Sequence, residues 1–296
     1  MAALASSRQT GLLVITVAFL IAPGMDVFAK LLTQTISPGQ TALGRFLIQS
    51  VLLIPLLALF GQWSRPRLGH WVAGAFLAVA LLCFNAALQV MPIANAIAIF
   101  FVEPLILTVL SALILKEQIG WRRILAVLAG LMGAMIVIRP NLAAYGLPAL
   151  LPLGTALFFA GYVIVNRVMT LGGQLLALQF WAGVGSTVVL GVACLWGHQA
   201  GIAPLALDWP TQSEAWLFLG LGVMAVCTHQ MIVVALSMLP ASVFAPMQYL
   251  EIVSATLFGW WIFGEFPDLL TWTGTAIIVA AGAYVFHRER KVKAES

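Results

Sequence analysis

Apolar runs of roughly 20 residues recur along this chain from one end to the other. A helix needs about 20 such residues to cross the hydrocarbon core of a bilayer, which is about 30 Å thick. Only 8% of the residues are charged, against about a quarter in an ordinary soluble domain. The runs are apolar on every side, whereas the strands of a membrane β-barrel alternate apolar and polar residues. We therefore expect an all-α protein that crosses the membrane many times.

Ten candidate spans can be read from the sequence, and no separate soluble domain fits between them. They cover residues 11–33, 39–60, 69–91, 93–115, 121–138, 148–169, 174–196, 214–238, 243–264 and 269–287. The first run follows Arg8 and resembles a secretory signal sequence. We expect it to be retained, because it is long enough to span and because nine helices would not divide into two equal halves.

A proline and two glutamates are spaced alike in the two halves of the chain. Each has a counterpart 148 residues later: Pro92 and Pro240, Glu103 and Glu251, Glu117 and Glu265. This duplication divides the chain into repeats 1–146 and 147–296, each with five spans. Because five is an odd number, the two repeats enter the membrane from opposite sides, which is the inverted topology of many secondary carriers. Two inverted halves that rock around a shared central site give alternating access.

The basic residues predict the orientation of the chain. Eleven of the 14 Lys and Arg residues fall in loops and tails on the side of the N-terminus, Arg139 falls on the other side, and Lys30 and Arg45 fall within spans. By the positive-inside rule, both termini are cytoplasmic, in a bacterial-type inner membrane. The basic residues are dispersed, so the net charge of +4 does not indicate a nucleic-acid partner.

Several short motifs resemble the EamA family of the drug/metabolite transporter superfamily. They are Glu103-Pro104 in the fourth span, Lys116-Glu117 at its end, and Gly264-Glu265 at the matching point of the ninth span. The resemblance covers residues 11–287 and implies ten helices, cytoplasmic termini and a central cavity between the halves. Within the family, the chain is similar to bacterial exporters of amino acids, including aromatic amino acids. Ile252 stands where the first half has Pro104, so we expect a weaker kink there or none.

Glu103 and Glu251 are the first candidates for substrate binding or for coupling to an ion. A charge at membrane depth is costly unless it is paired or wetted, so such residues are functional by default. The alternative is that each hydrogen-bonds a neighbouring helix and only fixes packing. Asn95 and Gln248 lie on the same helix faces as the glutamates and are further candidates.

Other candidates are polar or aromatic side chains within spans. They are Asn85, His229, Phe84, Tyr162, Trp181 and Tyr249. Ligand pockets are mostly apolar with a few converging polar groups, which these residues would supply. The alternative is packing, because amides and histidines hydrogen-bond between helices and aromatic rings fill the space between them.

The remaining intramembrane charges are predicted to be structural. Asp26 and Lys30 lie four apart on one helix face, and we expect them to form an ion-pair cluster with Arg45. The alternative is a positively charged binding site for a substrate carboxylate, because arginine binds carboxylates through two parallel hydrogen bonds. Glu117 and Glu265 precede the fifth and tenth spans, where a carboxylate complements the helix dipole.

Missing motifs narrow the class of protein. The chain has no phosphate-binding Gly-x-x-x-x-Gly-Lys loop, no metalloprotease or hydrolase signature and no potassium-channel filter. We expect no enzymatic activity, no cofactor and no metal. The prediction is a secondary exporter of small metabolites, most simply amino acids, embedded in the lipid bilayer. The alternatives are a drug exporter, a facilitator channel and an intramembrane enzyme. Small residues recur every four positions on the fifth span, at Ala126, Gly130 and Ala134, and permit close helix packing. Such packing could join two copies of the chain, so we expect a monomer or a weak homodimer.

Cysteine labelling tests the predicted orientation. We expect cysteines that replace Arg67 and Arg290 to be protected from a membrane-impermeant reagent in intact cells, because both positions are predicted to be cytoplasmic. A cysteine that replaces Gln212 should be labelled. Labelling of the first two in sealed cells would reverse the topology.

Overall fold

The computed structural model describes residues 2–115, 121–169, 175–238 and 247–295. The helices are α1 (Ala2–Ile21), α2 (Pro23–Leu32), α3 (Pro38–Phe60), α4 (Leu68–Leu88), α5 (Ile93–Phe100), α6 (Glu103–Leu115), α7 (Trp121–Tyr145), α8 (Leu151–Met169), α9 (Leu175–Gln199), α10 (Gln212–Met238), α11 (Leu250–Phe263) and α12 (Leu269–Glu295). Two 3-10 turns, Leu147–Leu150 and Ala203–Leu205, lie between them. These ranges contain no strand.

Eight helices in the described ranges are long and apolar enough to cross a membrane. Two of the eight are built from two segments each, because α1 continues into α2 and α5 continues into α6. Two further apolar helices, Leu250–Phe263 and Leu269–Tyr284, are shorter. The prediction of an all-α, multiply spanning protein is confirmed, and eight of the ten expected spans meet the length criterion.

The first and second halves of the chain interleave in one bundle. α1 packs against α10, and the corresponding helix of the other half, α8, packs against α4. α3 and α4 both pack against α9, α3 also packs against α10, and α7 packs against α12. The contacts named here therefore either join corresponding helices or occur in pairs in which the two halves exchange roles. This is the contact pattern expected of two structurally similar five-helix units.

Pro23 marks the junction between α1 and α2. A proline inside a helix has no N–H to donate to the carbonyl four residues earlier, which here is Phe19 O. The Ser254 hydroxyl of α11 lies 3.1 Å from Phe19 O and can donate to it, with Leu250 O and Glu251 O as alternative acceptors at 3.2 and 3.3 Å. Lipid offers no hydrogen bond to a free carbonyl. The second half of the chain therefore provides a hydrogen-bond donor for Phe19 O at the bend in the first span.

The small residues of α7 are used for packing within the chain. Ala126 and Ala134 are buried, and an added Cβ at Gly130 would contact Leu105 and Ala281. At the centre of the α7–α12 contact, a Cβ at Gly274 would lie 2.6 Å from Gly133 O. The stripe that suggested a contact between two copies thus faces α12 and α6 of the same chain. The oligomeric state remains a prediction.

This backbone contact predicts a sharp difference between two glycine substitutions. Gly274→Ala should lower the free energy of unfolding by about 1–3 kcal/mol, because α7 and α12 must move apart to admit the methyl group. Gly154→Ala is the control, since its Cβ would lie 3.6 Å from the nearest atom, Cys83 Sγ. We expect the control to be neutral or stabilising, by up to about 1 kcal/mol. Thermal unfolding in one detergent compares the two, and equal melting temperatures would contradict the contact.

Candidate functional site

The two mid-membrane glutamates stand at the beginnings of half-helices. A turn at Phe101 and Val102 separates α5 from α6, and Glu103 is the first residue of α6. A turn at Gln248 and Tyr249 precedes α11, and Glu251 is its second residue. Interrupted helices whose free ends face a central site are typical of secondary transporters. A carboxyl in the first turn also complements the unpaired N–H groups of the helix end.

The second of these breaks corrects an expectation. Because Ile252 replaces proline, the kink in this span was predicted to be weaker or absent, yet the turn is present. The turn lies before α11 begins, at Gln248 and Tyr249. Proline at the start of a helix is tolerated there and does not create the break. The turn therefore forms although isoleucine stands at position 252. A proline equivalent to Pro104 is not required for a break in this span.

α5, which precedes Glu103, runs antiparallel to α11, which carries Glu251. Met91, just before α5, and Glu265, just after α11, both contact the Lys30 ammonium group. Ten residues further on, the Phe101 ring lies 5.5 Å from that of Tyr249, just before α11. Moving along the chain from Met91 to Phe101 thus means moving backwards from Glu265 to Tyr249. The predicted antiparallel arrangement of these two helices near the centre is present.

A group of polar side chains from five helices meets near the middle of the bundle. We call it the central polar cluster; it consists of Asp26 of α2, Arg45 of α3, Tyr162 of α8, His229 of α10 and Glu251 of α11. Arg45 interacts electrostatically with Asp26, Tyr162 and His229, and Asp26 interacts with Glu251. All five lie deep in the bundle and still expose part of their surface. The cluster therefore lines an internal cavity.

The Arg45 side chain is incompletely paired. Its Nε is buried without a hydrogen-bond partner in the described part of the chain, and its guanidinium carbon lies 5.6 Å from the centre of the Phe46 ring. Gln49 Oε1, one turn further along α3, and Thr228 Oγ1, next to His229, are also buried without a partner among the described residues. Buried polar groups normally have partners. These three atoms leave hydrogen-bonding capacity unused inside the bundle.

His229 is anchored by its own helix. Its Nδ1 lies 2.6 Å from Ala225 O, and because a carbonyl can only accept, this nitrogen carries the proton. Nε2 is left for a second partner. Glu103, by contrast, lies apart from the central polar cluster. Its Oε1 is buried without a hydrogen-bond partner in the described ranges. No charged side chain is paired with it there. The two glutamates thus occupy different environments.

Lys30 pairs with Glu265 and not with Asp26, which corrects the expected cluster of Asp26, Lys30 and Arg45. Lys30 Nζ lies 2.6 Å from both carboxylate oxygens of Glu265 and donates to Met91 O at 2.9 Å. It also lies 4.9 Å from the centre of the Phe263 ring. This is the one ion pair within 4.0 Å in the part of the chain that is described. We call it the interhalf ion pair, because it joins residues of the first and second halves.

The acidic residues near helix starts have different roles from those expected. Glu265 was predicted to cap the last helix, but its carboxylate is engaged by Lys30. Asp268 takes the capping position, because its Oδ1 accepts from Thr271 N at 2.7 Å. Glu117 lies outside the described residues.

The candidate amides join helices to one another. Asn95 Nδ2 donates to Asn141 Oδ1 at 2.7 Å and so ties α5 to α7, which continues beyond its predicted end at residue 138. Asn85 Nδ2 lies 3.4 Å from Pro38 O. Gln248 lies in the turn before α11, where its carbonyl accepts from Glu251 N at 3.0 Å. The two asparagine contacts lie outside the central polar cluster, and the Gln248 contact involves only the backbone of Glu251.

The aromatic candidates fall into two places. The rings of Phe84 and Tyr249 flank the break between α5 and α6, Phe84 at 6.2 Å from Phe100 and Tyr249 at 5.5 Å from Phe101. Tyr162 belongs to the central polar cluster. Trp181 lies at the far end of α3 from Arg45, where its Nε1 donates to Ser64 O at 2.9 Å. Trp181 therefore holds a loop and is remote from the cavity. Gln49 was missed, although it lies one turn from Arg45 on the same helix face.

The sequence model of the EamA-like transporter family matches the chain twice, over residues 9–139 and 146–286. The chain belongs to the EamA-like transporter family. Its relatives are transporters and not enzymes, and it is a multi-pass membrane protein. A known crystal structure with 16% sequence identity covers 97% of this chain and 99% of its own, with a TM-score of 0.62, and so has the same fold.

The similar transporters differ in cargo and direction. The S-adenosylmethionine uptake transporter of Rickettsia bellii is 28% identical over 90% of this chain and 89% of its own. The riboflavin transporter of Vibrio cholerae is 32% identical, over 84% and 83% respectively. The pseudopaline exporter CntI of Pseudomonas aeruginosa is 25% identical, over 92% and 94%. The predicted membership of the family is confirmed. Amino-acid export is not specifically indicated by these relatives.

The interhalf ion pair predicts an order of stabilities. Lys30→Met should lower the free energy of unfolding by on the order of 2 kcal/mol, because it leaves the Glu265 carboxylate, which is 27% exposed, without its partner. Lys30→Met combined with Glu265→Gln should be more stable than Lys30→Met alone. The control is Arg65→Met, at an exposed arginine, with little expected effect. Thermal unfolding measures all three, and a double variant less stable than Lys30→Met would contradict the pairing.

Proposed function

We propose that this family member is a secondary transporter that carries a small metabolite through the central cavity by alternating access. The paired half-helices support the proposal most directly, because Glu103 and Glu251 each stand in the first turn of a half-helix that follows a break inside the bundle. A stable structural protein has no need of two such breaks at membrane depth. In this proposal, repeats 1–146 and 147–296 rock against each other, with both termini cytoplasmic.

The proposed substrate is an amino acid or an amino-acid derivative, and the proposed direction is export. The resemblance of the motifs supports amino acids. The similarity to the S-adenosylmethionine transporters supports the same chemistry, because S-adenosylmethionine is itself an amino acid. Riboflavin is the second candidate, since the 32% identical relative carries it and aromatic rings flank the break between α5 and α6.

Transport by purified protein in proteoliposomes tests the proposal. The panel consists of S-adenosylmethionine, L-phenylalanine, L-methionine and riboflavin, each with and without a pH gradient. We expect saturable flux and counterflow of at least one amino acid or derivative. Unsaturable flux would indicate a channel, and chemical alteration of the substrate would indicate an enzyme. Absence of counterflow for every compound would contradict a carrier of these substrates.

The different surroundings of the two glutamates predict different effects of neutralisation. Glu103→Gln should abolish flux driven by a pH gradient and spare exchange at equal pH, because glutamine keeps the shape and loses the titratable proton. Glu251→Gln should reduce both, since Glu251 belongs to the central polar cluster. Asp208→Asn, at an exposed loop carboxyl, is the control. Normal pH dependence in both glutamine variants would reduce the two glutamates to packing residues.

A further inference from the structure

We infer that the central polar cluster is a two-point binding site for an α-amino-carboxylate group, in which Arg45 binds the carboxylate and Asp26, with Glu251, binds the ammonium group. The inference rests on the proposed transport function and adds the chemical group that is recognised. Sequence spacing favoured a structural role for Asp26 and Arg45. Their geometry points to a ligand.

Arg45 is a buried cation in need of an anion. A guanidinium group removed from water is costly unless its donors are paired. Asp26 is close enough to interact electrostatically, but the two form no ion pair within 4.0 Å, and Arg45 Nε has no partner among the described residues. The planar guanidinium binds carboxylates through two parallel hydrogen bonds. A substrate carboxylate would supply the missing acceptors.

Lys30 does not compete for that role. Its ammonium group is already bound to both oxygens of Glu265 and to Met91 O. Although Asp26 lies one turn from Lys30 on α2, the lysine is committed to the interhalf ion pair. This leaves Arg45 as the cation of the cluster and Asp26 without a lysine partner.

The two carboxyl groups of the cluster call for a cation. Asp26 and Glu251 come from different halves of the chain and interact electrostatically with each other. Two carboxyl groups that share a buried site are not both ionised at low cost, and one takes up a proton unless a positive charge lies beside them. Each also lies in the first turn of a half-helix, so both side chains project from helical backbone and not from a loop. An ammonium group placed beside them would favour the ionised form of both.

Two unused hydrogen-bonding atoms lie on the same helices as Arg45 and His229. An ammonium group has three donors, and Gln49 Oε1 and Thr228 Oγ1 are buried acceptors without partners in the described ranges. Gln49 lies one turn from Arg45, and Thr228 is adjacent to His229. A zwitterion brings one negative and one positive group, which is the complement of one arginine and two carboxyls. A neutral ring compound would leave these charges unpaired.

Matched ligands test the inference. The probes are L-phenylalanine, L-methionine and S-adenosylmethionine, and each amino acid is compared with its primary amide and with its deaminated acid. For wild-type protein in detergent, isothermal titration calorimetry should show at least about tenfold weaker binding of the amide and of the deaminated acid. Each analogue removes one of the two charged groups and keeps the side chain.

Variants then assign each charge. Arg45→Gln should bind the amino acid and its amide equally, and Asp26→Asn should bind the amino acid and its deaminated acid equally. Arg45→Lys keeps the charge and should retain part of the discrimination, which guards against an Arg45→Gln protein that fails to fold. Arg65→Gln, at an exposed arginine, is the matched control and should discriminate as the wild type does. These ratios report recognition, and a merely structural role would not change them.

Four results would overturn the inference. They are wild-type binding that ignores the analogues, Arg45→Gln that keeps its preference for the carboxylate, Asp26→Asn that keeps its preference for the amine, and no binding of any amino-acid probe. If riboflavin alone were transported, the proposed α-amino-carboxylate site would be wrong, but the proposed carrier mechanism would still hold. If no compound of the panel showed counterflow and no probe bound, both would be wrong.

Discussion

A lipid bilayer offers no hydrogen bonds to a protein backbone, so every interruption of a helix must be satisfied by the protein itself. Within the described residues, helical spans are interrupted at Pro23, before Glu103 and before Leu250, and these breaks lie inside the bundle. At the first, a hydroxyl from the other half of the chain meets the freed carbonyl. This break therefore also helps to hold the two halves together.

The same constraint decides where charges can be kept. Lys30 and Glu265 neutralise each other at one end of the cavity. Asp26, Arg45 and Glu251 form no such ion pair within 4.0 Å in the described residues, and each of the two acids lies in the first turn of a half-helix. A substrate that supplied the missing charges would stabilise the cluster. Binding would thus be strongest for a molecule that carries both a positive and a negative charge. The amino-acid part of S-adenosylmethionine is such a group, which connects the site to the proposed function.

Much of the fold could be predicted from the sequence because its causes are local. Span length follows from bilayer thickness, and the 148-residue offset of Glu103 and Glu251 reveals the duplication without any structure. The antiparallel arrangement of their helices follows from the odd number of spans in each repeat. The site was harder to predict. Helical spacing identifies residues on the same face of one helix, such as Asp26 and Lys30, and cannot show which residue of another helix lies opposite.

Sequence alone determined that this is a helical membrane protein with two similar halves and carboxyl groups at membrane depth, because hydrophobic length and the cost of charge depend on the residues themselves. Only the tertiary structure decided that Lys30 pairs with Glu265, 235 residues away, and that Arg45 and Asp26 form no ion pair within 4.0 Å in the described part of the chain. The rotation and register of packed helices set those partners. They arise from the contacts of the whole bundle, such as the Gly133–Gly274 approach, and no single span encodes them.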